Sequence, residues 1–218
     1  LKGFIVIIVF ILSASTLLYS QNSKLVFEFE AFPLYYKIKS HHGFNHKYLS
    51  DIDFGAGLGV SYFFSPKSSI KTGLTYMPVN YNVEYKYIFM DSLDPSIPRS
   101  ADIRLGYLDI PFAYNLNLKL NDKFTLNTTS GITSSFLIIE KDNTLFEDNT
   151  VRKSGFTNQL IFSVQLGIGL CYNLNQKLGL KLEPRYRRFF KGFDILMYQQ
   201  PSSLNIAIGI TYNLKKKE

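Results

Sequence analysis

The sequence predicts an all-β fold: an eight-stranded antiparallel up-and-down transmembrane β-barrel, preceded by a cleaved signal peptide. Three observations predict it. Eight stretches alternate bulky apolar residues with small or polar ones, the period of a strand with one apolar face. The connections between them alternate short and long. The bulky residues are also too numerous to pack inside an eight-stranded barrel, whose interior only just admits side chains, so they must face lipid.

The chain has 218 residues, the size of one domain, with 46% hydrophobic and 19% charged residues, a balance that suits neither disorder nor a helical membrane bundle. Nineteen Phe and fifteen Tyr with no Trp suit a surface that presents rings at two lipid–water interfaces. Residues 1–20 form the predicted signal peptide: Lys2, an apolar stretch from Phe4 to Leu12, then the small residues Ser13, Ala14 and Ser15, with Ser20 before the cut. The apolar stretch is too short for a membrane-spanning helix. Residues 21–218 then form a single barrel domain.

The first run, at 25–38, alternates weakly, and Pro33 marks an irregularity in it. The second, 52–64, sets Ile52, Phe54, Leu58, Val60, Tyr62 and Phe64 against Asp53, Gly55, Gly57, Gly59 and Ser61. In the third, 69–87, the apolar set slips phase from Ile70, Leu74 and Tyr76 to Tyr81, Val83, Tyr85 and Tyr87, and a β-bulge at Pro78 is expected to absorb the slip. The fourth is the clearest: Leu108, Ile110, Phe112, Tyr114, Leu116, Leu118 and Leu120 take every even position of 108–120. The fifth, 124–140, is weak. The sixth, 160–174, opposes Phe162, Val164, Leu166, Ile168 and Leu170 to Ser163, Gln165, Gly167, Gly169 and Cys171. The seventh lies at 178–190. The eighth, 204–214, opposes Leu204, Ile206, Ile208, Ile210 and Tyr212 to Asn205, Ala207, Gly209 and Thr211.

Short connections fall at Ser65–Ser68, Asn121–Lys123 and Asn175–Lys177, all rich in turn-formers, and long ones at 39–50, 88–102, 141–155 and 191–202. Short turns on one rim and long loops on the other are the pattern of outer-membrane barrels. A soluble lipocalin-like carrier of a small ligand also alternates, but with its bulky face inward.

With the bulky face in lipid, the inward set includes Glu28, Glu30, Lys71, Asp109, Lys119, Lys181, Glu183, Arg185 and Arg187, a mixture of signs expected to pair as a polar plug. Tyr35, Tyr36, Tyr62, Tyr76, Tyr107, Tyr114, Tyr172 and Tyr212 are the expected interfacial girdles.

The segment GYLDIPFAYNLNL, residues 106–118, resembles the "YLEIPLLLKY" strand of the PorT-like outer-membrane β-barrel domain of Bacteroidetes, and LKLEPRYRRFF, residues 180–190, resembles a later strand of that family. The resemblance implies a cell outer membrane location and, through a relative associated with protein secretion, envelope or secretion proteins as partners.

Little in the chain points to catalysis. His41, His42 and His46 crowd into the first long loop, where three imidazoles within six positions are a conceivable metal site or the centre of a membrane hydrolase, but no orienting carboxylate can be picked out. Cys171 is the one cysteine, which excludes an internal disulfide. The glycines at 55, 57 and 59 lie within a strand, not before a helix, so they make no phosphate loop. The net charge of +7 includes Lys2, and the one dense basic run is Lys215 to Lys217, which does not make a nucleic-acid stripe. The expectation is a non-enzymatic outer-membrane barrel with no catalytic, metal or cofactor residues. Its partners are outer-membrane lipid and, in the second reading, a secretion or transport assembly. Loop residues Asp91, Asp94, Glu147, Asp148 and Lys191 form an ordinary binding surface.

Overall fold

The computed structural model describes residues 25–38, 47–85, 98–146, 148–152, 157–193 and 200–214. Ten strands form one sheet: β1 (Leu25–Lys37), β2 (Lys47–Ser50), β3 (Ile52–Phe63), β4 (Ser68–Glu84), β5 (Pro98–Lys119), β6 (Phe124–Phe146), β7 (Val151–Arg152), β8 (Leu160–Asn173), β9 (Leu178–Phe189) and β10 (Ser202–Asn213). Every pairing is antiparallel, the eight wall strands each pair with the next wall strand along the chain, and β1 pairs with β10 to close the barrel. Eight strands make the wall; β2 continues the line of β3 along β4, and β7 folds back on the end of β6.

The three short turns hold the lower rim through local polar contacts. In two of them an asparagine side chain takes the place of a backbone acceptor. Asn121 Oδ1 accepts from the Lys123 and Phe124 amides at 2.9 and 2.8 Å, and Asn175 Oδ1 does the same for Lys177 and Leu178 at 2.8 Å each. In the third, Ser65 Oγ accepts from the Ser68 amide at 3.0 Å.

The bulky residues of the lower two thirds face outward: Phe54, Leu58, Phe112, Leu166, Ile168 and Ile208 are all exposed, as a lipid-facing band requires. On β1 the band runs from Phe27 to Tyr35, which at ~3.3 Å per residue and a tilt of ~45° is roughly 20 Å of height.

Above that band the faces exchange character. On β4 the odd residues point inward along its whole length, yet they change from Lys71 and Thr75 to Met77, Val79, Tyr81 and Val83, while the outward Asn80, Asn82 and Glu84 become polar. β5 repeats the pattern, with Ala101, Ile103, Leu105 and Tyr107 inward and Asp102 and Arg104 outward. The expected bulge at Pro78 is therefore absent: Pro78 stays in register opposite Gly106. The apolar phase slips because the strand leaves lipid, so its apolar residues gain more by turning inward. A bulge does occur on the neighbouring strand, where Gly106 and Tyr107 pair with Ile139 and Leu137, leaving Ile138 unpaired and exposed. Pro33 likewise stays in register, opposite Phe54 on β3, and only interrupts the β1–β10 ladder between Ala31 and Leu34, so the bulge-like irregularity expected there is absent as well.

The same exchange corrects two members of the expected girdles. Tyr35, Tyr62, Tyr76, Tyr114 and Tyr212 face outward, but Tyr36 and Tyr107 are fully buried in the lumen. The strands are also longer than the alternation suggested. β5 begins at Pro98 and β6 runs to Phe146, closing in a turn with Asn149 at φ 59°, so residues 98–102 of the loop expected at 88–102 and 141–146 and 151–152 of the one expected at 141–155 are sheet. A transmembrane strand needs about 9–11 residues; β5 has 22 and β6 has 23. The wall formed by β4, β5 and β6 accordingly rises above the lipid as a raised lip, flanked by β2 and β7.

Candidate functional site: a plugged lumen beneath a raised rim

The lumen is built in layers. In its middle, six side chains from β1, β4 and β9 close a ring of alternating charge. Lys71 Nζ lies 2.9 Å from Glu28 and 3.0 Å from Glu30. Arg185 grips Glu30 with two hydrogen bonds of 2.8 and 2.6 Å and reaches Glu183 at 3.0 Å. Lys181 returns from Glu183 at 2.5 Å to Glu28 at 3.0 Å. Each acid thus has two bases within 3.0 Å and each base two acids, with a longer contact of 3.9 Å from Arg185 to Glu28 across the ring, zero net charge and every member buried. Desolvating one such charge alone costs several kcal/mol, which the ring's mutual attraction and charge-assisted bonds offset.

The glycines make room for this ring. Glu28 stands opposite Gly59, Glu30 opposite both Gly57 and Gly209, Lys181 opposite Gly209, and Arg185 opposite Gly167. A Cβ on Gly167 would sit 2.5 Å from the Glu183 carboxylate and 3.0 Å from Arg185 Cγ, and one on Gly59 would sit 2.9 Å from Lys71. Long charged side chains on β1 and β9 fill the cross-section because the strands beside them carry none.

Above the ring, Arg187 is a second hub. Its Nε donates to Ser163 Oγ at 2.6 Å, one Nη to Ser135 Oγ at 2.8 Å, and the other to Asp109 at 2.5 Å. The guanidinium also lies 4.6 Å from the centroid of the Phe189 ring. A cavity of about 30 Å³ remains between hub and ring, room for about one water.

The top layer is aromatic. Phe193, carried inward by the segment after β9, packs edge-on against Tyr36 at 5.4 Å and Phe189 at 4.9 Å, and tilted against Tyr81 and Tyr107. Two bonds from Asn158 fix it there: the backbone amide donates to Phe193 O at 2.9 Å, and the side-chain Nδ2 to Gly192 O at 2.9 Å. Tyr107 Oη donates to Asn158 O at 2.9 Å, and Tyr36 Oη to Pro78 O at 2.7 Å. Ring, hub and cap together close the lumen.

Eight of the nine residues expected inside are therefore brought together in two connected networks. Lys119 is the exception: it sits at the lower mouth, exposed and paired with Asp122 at 2.6 Å. That contact holds the Asp122 carboxyl below the usual range, first through the hydrogen bond and then through the ammonium charge. His41, His42, His46, Asp91, Asp94 and Glu147 lie outside the described residues. Asp148 and Lys191 are exposed on the outer rim. Sequence reasoning missed the aromatic cap. The slip of apolar parity on β4 was its signal.

A closed antiparallel barrel with an apolar outer band, a neutralised polar lumen and long strands on one rim defines a membrane-spanning β-barrel of the outer-membrane type. The model of the outer membrane protein beta-barrel domain matches residues 19–188, and the chain belongs to that family. It is an outer-membrane protein. Among solved structures, Neisserial surface protein A superposes with a TM-score of 0.50 at 11% identity, over 88% of this chain and 98% of that one. Ail, the attachment invasion locus protein of Yersinia pestis, gives 0.46 at 12% identity over 88% and 99%, and AlkL gives 0.47 at 12% over 91% and 93%. These are likenesses of fold. No curated protein matches the chain.

Proposed function

We propose that this is a non-enzymatic envelope protein whose raised outer rim is a binding platform. The carrying observation is that β5 and β6 are about twice the length a membrane crossing needs, while the lumen beneath them is closed. Strand extended beyond lipid is ordered surface. Here β4 and β5 have an apolar inner face packed by the cap, β6 adds the buried pair Asp142 and Thr144, and the outer face includes Lys47, Glu84, Asp102, Arg104, Lys141 and Asn143 beside the exposed Leu49 and Val151. Such a lip supports the long connections on a rigid base, where binding groups commonly sit. The closed lumen favours binding over conduction.

The resemblance of residues 106–118 and 180–190 to the PorT-like barrels of Bacteroidetes supports export by a signal peptide at residues 1–20 and a barrel domain from residue 21. It also supports secretion proteins of the envelope as the class of partner.

A membrane-impermeant, amine-reactive crosslinker applied to whole cells tests this reading. The expected result is a discrete adduct to a second envelope protein that disappears when Lys47 and Lys141 on the rim are changed to Gln. An adduct unaffected by those changes, or none, contradicts it.

A further inference from the structure

We propose that the lower end of the lumen, on the short-turn side, is a binding site for a small neutral polyhydroxylated molecule of the size of a mono- or disaccharide. Beneath the ionic ring the barrel opens into a vestibule of about 360 Å³, within the range of small-molecule pockets. The cavity above the ring is about 30 Å³, so the vestibule is a blind pocket with the ring as its floor.

Its lining selects the chemistry. Asn115, Asn117, Asn127, Asn173 and Asn213 project into it from β5, β6, β8 and β10. The charges at the floor, Glu28 and Lys181, are already committed to the ring, and Lys119 at the mouth to Asp122. Among the described residues no unpaired charge is offered to an ionic ligand, and the few apolar contributors, Val26, Phe63 and Pro66, are too sparse for an acyl chain.

The second observation is a set of hydrogen-bonding groups with nothing to bond. Ser69 and Asn115 stand directly opposite each other on β4 and β5, both buried, and neither Ser69 Oγ nor Asn115 Oδ1 has a partner. Two residues along β5, Asn117 Oδ1 accepts from Asn127 Nδ2 at 2.8 Å, while Asn117 Nδ2 has no partner. Buried polar groups are normally satisfied, and an exception asks for a reason. Ser69, Asn115 and Asn117 all line the pocket, but the acceptor, hydroxyl and donor lie just within its wall, each with less than 1 Å² exposed, so a turn of the Asn115 and Asn117 amides is what presents them to neighbouring hydroxyls on a sugar ring. A pocket built this way rejects analogues that lack those hydroxyls.

The chain carries its own reporter. Cys171 lines the opposite wall, half-buried, with its Sγ 3.9 Å from Thr211 Oγ1. The experiment measures the rate at which a small maleimide alkylates Cys171 in the protein held in lipid nanodiscs free of sugar-headed detergent. Maltose and N-acetylglucosamine are the probes, with glucose 6-phosphate and hexanol as comparisons. At a saccharide concentration ten times its Kd the rate is expected to fall about tenfold. Glucose 6-phosphate and hexanol should leave it unchanged. Asn115→Leu and, separately, Ser69→Ala should abolish the protection while the folded gel mobility and the unprotected rate persist.

Four results would overturn the proposal: no slowing by either neutral sugar, equal slowing by the charged or apolar comparison, protection retained in both variants, or a Cys171 that is not alkylated at all. The first would make the vestibule a water-filled end of the barrel, and the last would show that it is closed.

Discussion

Removing one base from the ionic ring tests the lumen most sharply. Arg185→Met keeps roughly the length of the side chain but deletes three contacts of 3.0 Å or less, two to Glu30 and one to Glu183. Three acids then face two lysines, a net charge of −1 in a site where no member is exposed to water. Breaking a buried pair from one side typically costs about 3–5 kcal/mol. With a urea slope of about 2 kcal/mol/M, that lowers the unfolding midpoint by about 2 M. Adding Glu30→Met restores neutrality and leaves Glu28, Lys71, Lys181 and Glu183 as an unbroken chain of pairs. The double variant should therefore recover to within about 1–2 kcal/mol of the parent, since apolar replacement of a buried pair is often close to neutral. Urea titration of vesicle-reconstituted protein, followed by circular dichroism and by the gel mobility of unboiled samples, gives all three values. A single-variant loss under about 1 kcal/mol, or a double variant as unstable as the two single losses added, would refute the ring as a coupled unit.

Three other outcomes follow from the geometry. Gly167→Ala places a methyl group against the fully buried Glu183 carboxylate and should cost about 1–3 kcal/mol in the same titration, although alanine suits a strand better than glycine. Ile208→Arg, on the lipid face, should cost about 2–4 kcal/mol, whereas Asn143→Arg, outward on the raised lip, should cost about 0–1 kcal/mol; equal costs would mean the lip is not above the lipid. Phe193→Ala removes the centre of the aromatic cap, at about 3 kcal/mol. It should also speed hydrogen exchange at the Asn158 amide, which donates to the Phe193 carbonyl, while leaving the turn-side amide of Leu178 unchanged.

Alternation made the wall legible in the sequence because a strand buried on one face repeats every two residues whatever its neighbours. Residues 108–120, 160–174 and 204–214 show this, and their outward sets face lipid as the alternation implied. The inward charges were legible for the same reason: Glu28, Glu30, Lys181, Glu183, Arg185 and Arg187 occupy the parity opposite the bulky residues. Their pairing was not, because it depends on the stagger of β1 against β4 and β9, a property of closure and not of any one strand. Part of the lip was read as loop since Asp102, Lys141 and Asn143 look like connection residues until Ile103, Leu105 and Tyr107 are seen to pack on the inner side of the wall. Tyr36 and Tyr107 were expected in the interfacial girdles but lie where the wall has risen past the lipid, and there they turn inward. Above the membrane the apolar side is the inner one.

This exchange of faces along the barrel axis underlies both the lip and the aromatic cap. The most direct measurement is the set of intermolecular NOEs between lipid acyl chains and isotope-labelled Ile, Leu and Val methyl groups of the protein in nanodiscs. Contacts to the acyl chains are expected from Leu58, Leu166 and Ile208, and none from Val79, Val83, Ile103 or Leu105. Acyl-chain contacts to Val79 and Ile103, with none to Leu58 and Ile208, would show that the chain is folded with its bulky face inward and would contradict the account.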